Sequence, residues 1–457
     1  MKKTVTRILS LLCIVSLLFC LVACGESTPA PQSGAQTTTG GTTLPNETDP
    51  PSTQAPATEP PATQAPVTQA PETQAPATQE PSGTQLPTIL PPDEPPVTKP
   101  PVTEPPAPSQ PNEIKNIIIV IGDGMGLAHI NAGMLTSGKQ YGFMNWQRTL
   151  ANTDSVNSNG TGDILTDSAA GGTALASGQL TVNGYVGKDH TGADVVTILD
   201  RAAALGKSTG VVTTDTLFGA TPGAFSAHNL SRDDSNGLFT SQLSSGINLL
   251  CGTKDPITSN IPLITAAGYD YCDDPDELED TFAYDKVYWQ LELASANPSV
   301  RLCDATVKAL EYLDRDEDGF VIMIEQAHID KYSHSNEFAN MAACANSLND
   351  TVDAILSWIG DRTDTAVLIT ADHETGGLSV SQSDLGGGSY KTSSGTTVYY
   401  KWTSSGHTRA DVGVFVYGIK ADFAALSKYG TADRIKNTNV YDLMLDILTR
   451  PSHYGGE

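Results

Sequence analysis

Three near-continuous apolar runs constrain the fold of this chain more than any other feature. They are NIIIVIGDG at residues 116–124, FVIMIEQAHID at 320–330 and AVLITADHE at 366–374. Such runs are typical of strands that are buried on both faces, as in parallel sheets. Alanine-rich stretches of helical character lie between them, for example at 197–206 and 338–360. The pattern predicts an α/β fold with a central, mostly parallel β-sheet and helices on both faces.

Polar side chains end each of these runs. Asp123 follows the first, Glu325 and Asp330 close the second, and Asp372 and His373 close the third. A single aspartate after a strand is more often a turn former or a helix N-cap. In open α/β sheets, however, ligands gather beyond the carboxyl ends of the strands. We therefore expect the three ends to share one crevice, where carboxylate and imidazole groups would suit a metal such as zinc.

The second run also overlaps a competing metal motif, the EF-hand calcium loop. The matching residues, at loop positions 1, 3, 5, 6 and 12, are Asp314, Asp316, Asp318, Gly319 and Glu325. An EF-hand loop leads into a helix, whereas the FVIMI segment that follows is apolar and partly β-branched, which favours a strand. We interpret 314–319 as a polar turn, and a separate calcium site on its three aspartates remains the alternative. Beyond the strand, Asp330 and His334 would share one face of a helix.

Several candidate residues lie outside the three runs. Ser168 follows Asp167 at the start of a segment of small residues. A helix there would offer unpaired N–H groups and a positive dipole end to phosphate, although either residue could simply cap the helix. Thr221 precedes Arg232, whose planar guanidinium can bind two phosphate oxygens at once. His407 follows a serine-glycine loop and is a candidate for a distant ligand.

Taken together, these segments resemble the alkaline phosphatase family. The motifs GDGMG, TDSAAGGTA, ATPGAFSAHNLSR, EQAHIDKYSH, TADHETGG and GHT occur in order between Asn116 and Leu448. Several ordered motifs make a more specific signal than any one alone. The resemblance implies that Ser168 is the nucleophile, that Arg232 binds the phosphate, and that Lys331 contacts phosphate through water.

The resemblance also implies two zinc ions and one magnesium ion. By this resemblance, one zinc would be bound by Asp330, His334 and His407, and the other by Asp123, Asp372 and His373. The magnesium ion would be bound by Asp123, Thr221 and Glu325. Many family members have aspartate or histidine two residues before the threonine of the third site. This chain has Gly219 there, so the third site is where we expect a departure from the family.

The N-terminus has the pattern of an export signal. Three basic residues precede the apolar run 8–22, which predicts a signal peptide at 1–23. The run ends in LVAC, which resembles a bacterial lipobox, so we expect a lipid on Cys24 that holds the protein on the extracytoplasmic face of the cell membrane. An ordinary signal peptide with an incidental cysteine is the alternative.

Two further segments follow the signal. Residues 24–112 are rich in Thr, Pro, Gln and Ala and have no apolar periodicity, which predicts a disordered linker. Residues 113–457 are long enough for one catalytic domain. Within that domain, residues 383–406 are expected to form a hairpin over the site.

Charge and cysteine content limit the remaining options. The net charge of −26 argues against a nucleic-acid partner. An exported domain permits disulfides, and a bond between Cys251 and Cys272 would close a short loop. The pairing among these two, Cys303 and Cys344 is otherwise open. No CxxC pair occurs, which disfavours a cysteine zinc site.

The implied function is the hydrolysis of small phosphate monoesters through a phosphoserine intermediate. A phosphodiesterase of the same superfamily is the first alternative, and Arg232 disfavours it because it would occupy the space of a second ester group. A solute-binding lipoprotein is the second, and it leaves Ser168 and both metal clusters unexplained. A sulfatase is disfavoured because Ser168 does not lie in the Cys/Ser-x-Pro-x-Arg motif that sulfatases require. A homodimer remains open.

Overall fold

The three apolar runs form neighbouring strands at the centre of one sheet in the computed structural model. The structure describes residues 113–258, 260–274, 281–293, 301–427 and 432–454. The predicted signal peptide, Cys24 and the linker 24–112 lie outside these residues. No helix in the described part of the chain is both long and apolar enough to cross a membrane.

The strands are β1 Asn116–Gly122, β2 Gln147–Asn152, β3 Asp154–Ser155, β4 Ile164–Leu165, β5 Ser208–Thr213, β6 Leu249–Thr253, β7 Asp270–Cys272, β8 Val287–Leu291, β9 Phe320–Gln326, β10 Thr365–Thr370, β11 Glu374–Thr375, β12 Ser379–Ser381, β13 Gly388–Lys391, β14 Thr397–Lys401, β15 His407–Thr408, β16 Val412–Tyr417 and β17 Arg434–Lys436. The α-helices are α1 Leu127–Ser137, α2 Ser168–Ser177, α3 Ile198–Ala204, α4 Ala220–Ser226, α5 Ser235–Leu243, α6 Ile261–Ala266, α7 Leu302–Leu313, α8 His328–His334, α9 Phe338–Ile359, α10 Phe423–Leu426, α11 Thr438–Thr449 and α12 Pro451–Tyr454. A short 3₁₀ helix spans Gly142–Asn145.

The main sheet has the order β17-β2-β16-β10-β1-β9-β5-β6-β8-β7. Strand β16 runs antiparallel to both neighbours, and the other paired strands of this sheet are parallel. Strands β1, β9 and β10 are buried along their whole length. Helices α1, α7 and α8 pack on α9, and α2 packs on α4 and α11. The predicted α/β architecture with a mostly parallel sheet is confirmed.

The register of the central strands brings their carboxyl ends to one edge. Ile121 lies opposite Glu325 on β9 and opposite Thr370 on β10. On the other side of β9, Thr213 lies opposite Glu325. The polar residues that follow these positions therefore leave the sheet side by side, as expected for a ligand crevice in an α/β fold.

The segment before β9 is a turn, as the sequence indicated. Gly319 has φ of +87°, and a side chain there would meet the backbone carbonyl of Lys115. Arg362 binds both carboxylate oxygens of Asp314 at 2.6 and 2.7 Å, while Asp316 accepts from the hydroxyl of Ser208. The first two aspartates of the calcium motif thus serve local contacts, and FVIMI is a strand.

The predicted disulfide between Cys251 and Cys272 does not form. The two cysteines lie on β6 and β7, and both are opposite Trp289 on the intervening strand β8. Strands two positions apart are separated by about 9.5 Å, which exceeds the Cα separation of a disulfide. Local sequence spacing allowed the pairing because it does not reveal that a third strand lies between them.

The predicted hairpin is present as β13 and β14, joined to β12 in a small three-stranded sheet. Tyr400 of β14 stacks on Phe338 at the start of α9, with ring centroids 4.1 Å apart. The chain that follows β14 reaches the site, because the carbonyl of Ser405 accepts from His334 Nδ1 at 2.6 Å.

Candidate active site

Asp330, His334 and His407 form the first of two clusters that could hold a metal ion. The first two residues lie one turn apart on α8, which follows β9, and His407 begins β15. His334 Nε2 lies 3.3 Å from Asp330 Oδ1 and 3.2 Å from His407 Nε2. His407 Nε2 lies 3.7 Å from the same carboxylate oxygen. We refer to these three residues as the first cluster.

Backbone carbonyls determine which ring nitrogens of the first cluster face inward. His334 Nδ1 donates to the carbonyl of Ser405 at 2.6 Å, and His407 Nδ1 donates to that of Thr166 at 2.8 Å. A carbonyl can only accept, so both Nδ1 atoms carry hydrogen and both Nε2 lone pairs point into the cluster. This arrangement is the usual one for metal-binding histidines.

The second cluster consists of Asp123, Asp372 and His373. His373 Nε2 lies 3.5 Å from Asp123 Oδ1 and 3.3 Å from Asp372 Oδ2. All three residues are buried, and these two carboxylate oxygens have no hydrogen-bond partner. Ser168 Oγ lies 3.1 Å from the same histidine nitrogen. Four potential ligand atoms therefore face one another in a buried space.

Electrostatics favours a cation in the second cluster. Burial, followed by the charge of Asp372, raises the pKa of Asp123 well above its ordinary value. Burial and then the charge of Asp330 raise the pKa of Asp372 in the same way. Burial lowers the pKa of His373, and the neighbouring His407 lowers it further. Buried acids without cationic partners are unfavourable, and a bound metal ion would remove that penalty.

The spacing in both clusters fits zinc. Two ligand atoms about 2.0–2.1 Å from a tetrahedral zinc ion lie about 3.3 Å apart. The separations given above, from 3.2 to 3.7 Å in the first cluster and from 3.3 to 3.5 Å in the second, agree with this value. The donor atoms are carboxylate oxygens and imidazole nitrogens, which zinc accepts.

Thr375 connects the two clusters, and the sequence did not single it out. Its hydroxyl donates to Asp330 Oδ1 at 2.5 Å and lies 3.2 Å from His373 Nδ1. Because the hydroxyl has one hydrogen, it must accept from His373 Nδ1–H, which leaves Nε2 unprotonated and able to accept from Ser168. The available sequence signal was its position two residues beyond His373.

Glu374 is another buried residue that the sequence did not single out. It accepts from the backbone N–H groups of Gly377 and Leu378 at 3.2 Å and from the hydroxyl of Thr408. Since Thr408 follows His407, Glu374 ties the segment that carries Asp372 and His373 of the second cluster to the strand that carries the last ligand of the first. Its role is to position both segments.

Asp167 holds the nucleophile candidate and the phosphate-binding candidate together. Helix α2 begins at Ser168, as predicted, and Asp167 is its N-cap, with Oδ1 accepting from Ala170 N–H at 2.9 Å. The other oxygen, Oδ2, accepts from Gly184 N–H at 2.9 Å and from Arg232 at 3.1 Å. Ser168 is buried, whereas the side chain of Arg232 is 36% exposed. The guanidinium is thus accessible to solvent, whereas the serine is not.

Third-site candidates adjoin the second cluster. Thr221 Oγ1 donates to Asp123 Oδ2 at 3.3 Å, and both Thr221 and Glu325 are buried. The hydroxyl of Thr213 donates to the Glu325 carboxylate. Burial, followed by the charge of Asp215, raises the pKa of Glu325 to about 7. A carboxylate in this setting is well suited to a bound divalent cation.

Lys331 takes part in an ion pair beside these residues. Its Nζ lies 2.5 Å from Asp215 Oδ1, and both side chains are partly exposed. The predicted contact with phosphate through water stays a prediction. Asp215 was missed at the sequence level, although it lies two residues beyond the end of β5, much as carboxylates follow the three other runs.

Comparisons with known proteins identify similar proteins of one family. A family model described as alkaline phosphatase matches residues 114–255 and 274–398. Alkaline phosphatase 4 of Bacillus subtilis (strain 168) is 32% identical over 292 residues, which cover 59% of this chain and 63% of that protein. The alkaline phosphatase of Escherichia coli (strain K12) is 29% identical over 328 residues, 57% of this chain and 70% of that protein. The match thus spans less than two thirds of the Bacillus relative.

A solved structure supports the same fold. The crystal structure of a cold-active alkaline phosphatase from the psychrophile Shewanella sp. superposes with a TM-score of 0.62 at 25% identity. The superposition covers 73% of this chain and 99% of that one. His407 lies beyond the range matched by the family model, so its place in the first cluster rests on the geometry given above.

Proposed function

The chain belongs to the alkaline phosphatase family, and from that premise we propose that it hydrolyses phosphate monoesters through a phosphoserine intermediate on Ser168. The observation that carries the proposal is the position of Ser168 Oγ, 3.1 Å from His373 Nε2. A hydroxyl that could act as the nucleophile thus lies against the second cluster, at the first residue of a helix. Phosphate binding at a helix N-terminus is favoured by its free N–H groups and dipole.

The first half of the reaction forms a bond from Ser168 Oγ to phosphorus and breaks the bond from phosphorus to the ester oxygen. The hydroxyl proton of Ser168 passes to solvent, and the departing alkoxide takes a proton from solvent, so the proton count is unchanged. In the second half, water attacks the phosphoserine, the bond from phosphorus to Oγ breaks, the serine oxygen regains the proton that the attacking water loses, and inorganic phosphate leaves. When bound, divalent ions would act as Lewis acids that lower the pKa of a hydroxyl and stabilise a departing alkoxide.

Arg232 would bind two non-bridging oxygens of the phosphoryl group. Its guanidinium is held by Asp167 Oδ2 at 3.1 Å, so it is oriented before substrate arrives. Charge stabilisation of this kind supplies most of the catalysis in phosphoryl transfer. The partial exposure of Arg232 leaves room for the leaving group to extend into solvent, which is consistent with small monoesters of varied structure.

We propose zinc for both clusters and magnesium for the third site. The two clusters combine imidazole and carboxylate donors at tetrahedral spacing, as zinc prefers. The third-site residues Asp123, Thr221 and Glu325 offer oxygen donors alone, which suit magnesium.

The cellular location is a proposal from the sequence alone. The signal peptide at 1–23 and the lipobox-like LVAC lead us to propose that Cys24 is lipidated and holds the protein at the extracytoplasmic face of the membrane. Mass spectrometry of the N-terminal peptide, and membrane fractionation of the Cys24→Ser variant, would test this part separately. A homodimer is likewise a proposal.

The activity is tested with the purified full chain at alkaline pH. Phosphate or nitrophenol release is measured from 4-nitrophenyl phosphate and from bis(4-nitrophenyl) phosphate, before chelation, after chelation and after zinc is restored. Monoester turnover that is lost on chelation and returns with zinc supports the proposal. Zinc-dependent turnover of the diester alone would assign the site to a phosphodiesterase. Tight binding of phosphate compounds without turnover of either would favour a solute-binding protein.

A further inference from the structure

A carboxylate fills the space into which a side chain at position 219 would project. A Cβ atom built on Gly219 would lie 2.7 Å from Asp215 Oδ2 and 3.1 Å from Asp215 Cγ. The φ angle of Gly219 is −54°, which any residue can adopt, so the backbone does not demand glycine here. The constraint is therefore steric: the nearest atom is the carboxylate oxygen of Asp215, and the backbone carbonyl oxygen of Thr216 is next at 3.0 Å. A side chain at position 219 and the carboxylate of Asp215 cannot both occupy this space.

Asp215 is fixed to the residues of the third site through Thr213. The backbone N–H of Asp215 donates to Thr213 Oγ1 at 2.9 Å, and that hydroxyl donates to the Glu325 carboxylate. Thr213 and Glu325 lie opposite each other at the ends of β5 and β9. The backbone of Asp215 is thus anchored at the carboxyl edge of the sheet, and its carboxylate lies near enough to Glu325 to raise the pKa of that residue.

The two oxygens of Asp215 have different surroundings. Oδ1 accepts from Thr216 N–H at 2.8 Å and pairs with Lys331 Nζ at 2.5 Å. Oδ2 is the oxygen turned toward Gly219. Lys331 directly follows Asp330, so the ion pair also connects this carboxylate to the helix that carries the first cluster.

We propose that Asp215 supplies to the third metal site the side chain that Gly219 lacks. This inference rests on the proposed function, because it requires a divalent cation at Asp123, Thr221 and Glu325. Magnesium in proteins keeps several waters and is held by few carboxylates. Asp215 Oδ2 would accept hydrogen bonds from that water shell, with Lys331 balancing its charge. Asp215 is accordingly a positioning residue, supplied from four residues earlier in the chain.

The test measures binding of the third cation rather than turnover. The zinc-loaded full chain is titrated with Mn²⁺, which is followed by electron paramagnetic resonance, and then with Mg²⁺ in competition. Asp215→Asn keeps the shape of the side chain and an acceptor for Thr216 but removes the charge. Removal of such a supporting group should weaken the third cation about 10- to 100-fold while the zinc content stays unchanged. Asp361→Asn, an exposed substitution at the end of α9, is the matched control.

A reciprocal exchange tests the spatial argument. Gly219→Asp alone would force two carboxylates into one space, so it should weaken the third cation and lower stability. The double variant Asp215→Gly with Gly219→Asp returns one carboxylate to that space, and its cation affinity should recover to within a few-fold of wild type. Each variant is checked for folding by circular dichroism and for zinc by metal analysis.

The outcomes separate the two levels of the proposal. Unchanged Mn²⁺ affinity in Asp215→Asn would overturn the role of Asp215 while leaving the third site intact. A double variant that folds, keeps its zinc and binds Mn²⁺ no better than Asp215→Asn would also overturn it. A zinc-loaded wild type that hydrolyses monoesters but binds no further cation would remove the third site and this inference with it. Absence of hydrolysis with intact cation binding would instead remove only the proposed activity.

Discussion

Thr375 Oγ1 lies 2.5 Å from Asp330 Oδ1 and is the one hydroxyl in the described residues that contacts both metal clusters. Its other contact is His373 Nδ1 at 3.2 Å, so it determines the tautomer of a histidine in one cluster and orients a carboxylate in the other. The group is fully buried. Its loss would leave two buried polar atoms without this partner, and buried polar groups that lose a hydrogen-bond partner are unfavourable.

Replacement of Thr375 by valine should therefore weaken zinc binding in both clusters. Valine keeps the shape but removes the hydroxyl, and the expected loss of zinc affinity is about 10- to 100-fold. Zinc is titrated against a chelating dye in the purified chain. Thr375→Ser keeps the hydroxyl and should remain within a few-fold of wild type. Equal zinc affinity in wild type and the valine variant would show that the bridge has no effect.

Ser168→Ala should abolish turnover without loss of metal. Ser168 Oγ contacts only the ring of His373 among the described hydrogen bonds of this side chain, so its removal leaves the remaining ligand set in place. A nucleophile substitution of this type lowers kcat by about 10³-fold or more. Turnover is measured with 4-nitrophenyl phosphate, and zinc by metal analysis. A metal-replete variant that retains wild-type turnover would rule out phosphoserine at this position.

Asp167→Asn should raise KM and lower the free energy of unfolding only modestly. Asparagine is as good an N-cap as aspartate, so helix α2 is preserved. The Oδ2 acceptor of both Arg232 and Gly184 N–H is lost. Because Arg232 is 36% exposed, the ion pair contributes only about 0–1 kcal/mol to folding, and the hydrogen bond from Gly184 adds about 0.5–1.5 kcal/mol. The guanidinium is then less well oriented, and we expect KM and the inhibition constant for phosphate to rise about threefold to tenfold. Arg232→Lys, which keeps the charge but not the planar fork, provides the comparison.

If orientation of Arg232 by Asp167 is unimportant, Asp167→Asn will have the same KM as wild type. A large fall in the free energy of unfolding with little change in KM would instead assign Asp167 to helix capping alone. Urea unfolding and steady-state kinetics on the same preparations distinguish these results.

Acid should destabilise the metal-free protein through His129. This histidine is fully buried, accepts from Gly126 N–H at 3.1 Å and contacts Ser333 Oγ at 3.1 Å. Burial lowers its pKa from 6.5 to about 4. Between these values the unfolded chain binds a proton that the folded chain excludes, so the stabilisation is complete above pH 6.5 and is lost as the pH falls toward 4. From pH 7 to pH 5 the loss amounts to about 2 kcal/mol.

This effect is measured as the difference between wild type and His129→Gln. Glutamine can make both hydrogen bonds but does not titrate, so its free energy of unfolding in urea should fall about 2 kcal/mol less between pH 7 and pH 5. Parallel curves for the two proteins would mean that His129 keeps a normal pKa in the folded state. Metal-free protein is used so that proton competition for the zinc ligands does not contribute.

The sequence by itself determined the strands and the residues that follow them. Short, β-branched apolar runs such as 116–122 favour strands buried on both faces, and the polar residues at their ends then leave the sheet at its carboxyl edge. The four-residue spacing of Asp330 and His334 likewise determined that they share a face of α8, because helix periodicity is local. The ordered motifs, with spacing similar to that of the family, extended the list of predicted site residues to Ser168, Arg232 and His407.

Only the tertiary structure decided which groups support those residues. Asp215 faces Gly219, Thr375 reaches Asp330, and β8 separates Cys251 from Cys272. These relationships depend on strand order and register, or on the path of a turn, none of which is written in a local pattern. A hydrogen bond between Thr375 and Asp330 joins residues 45 positions apart in the chain. Distances of that kind are set by packing of the whole sheet, since sequence spacing limits them without specifying them.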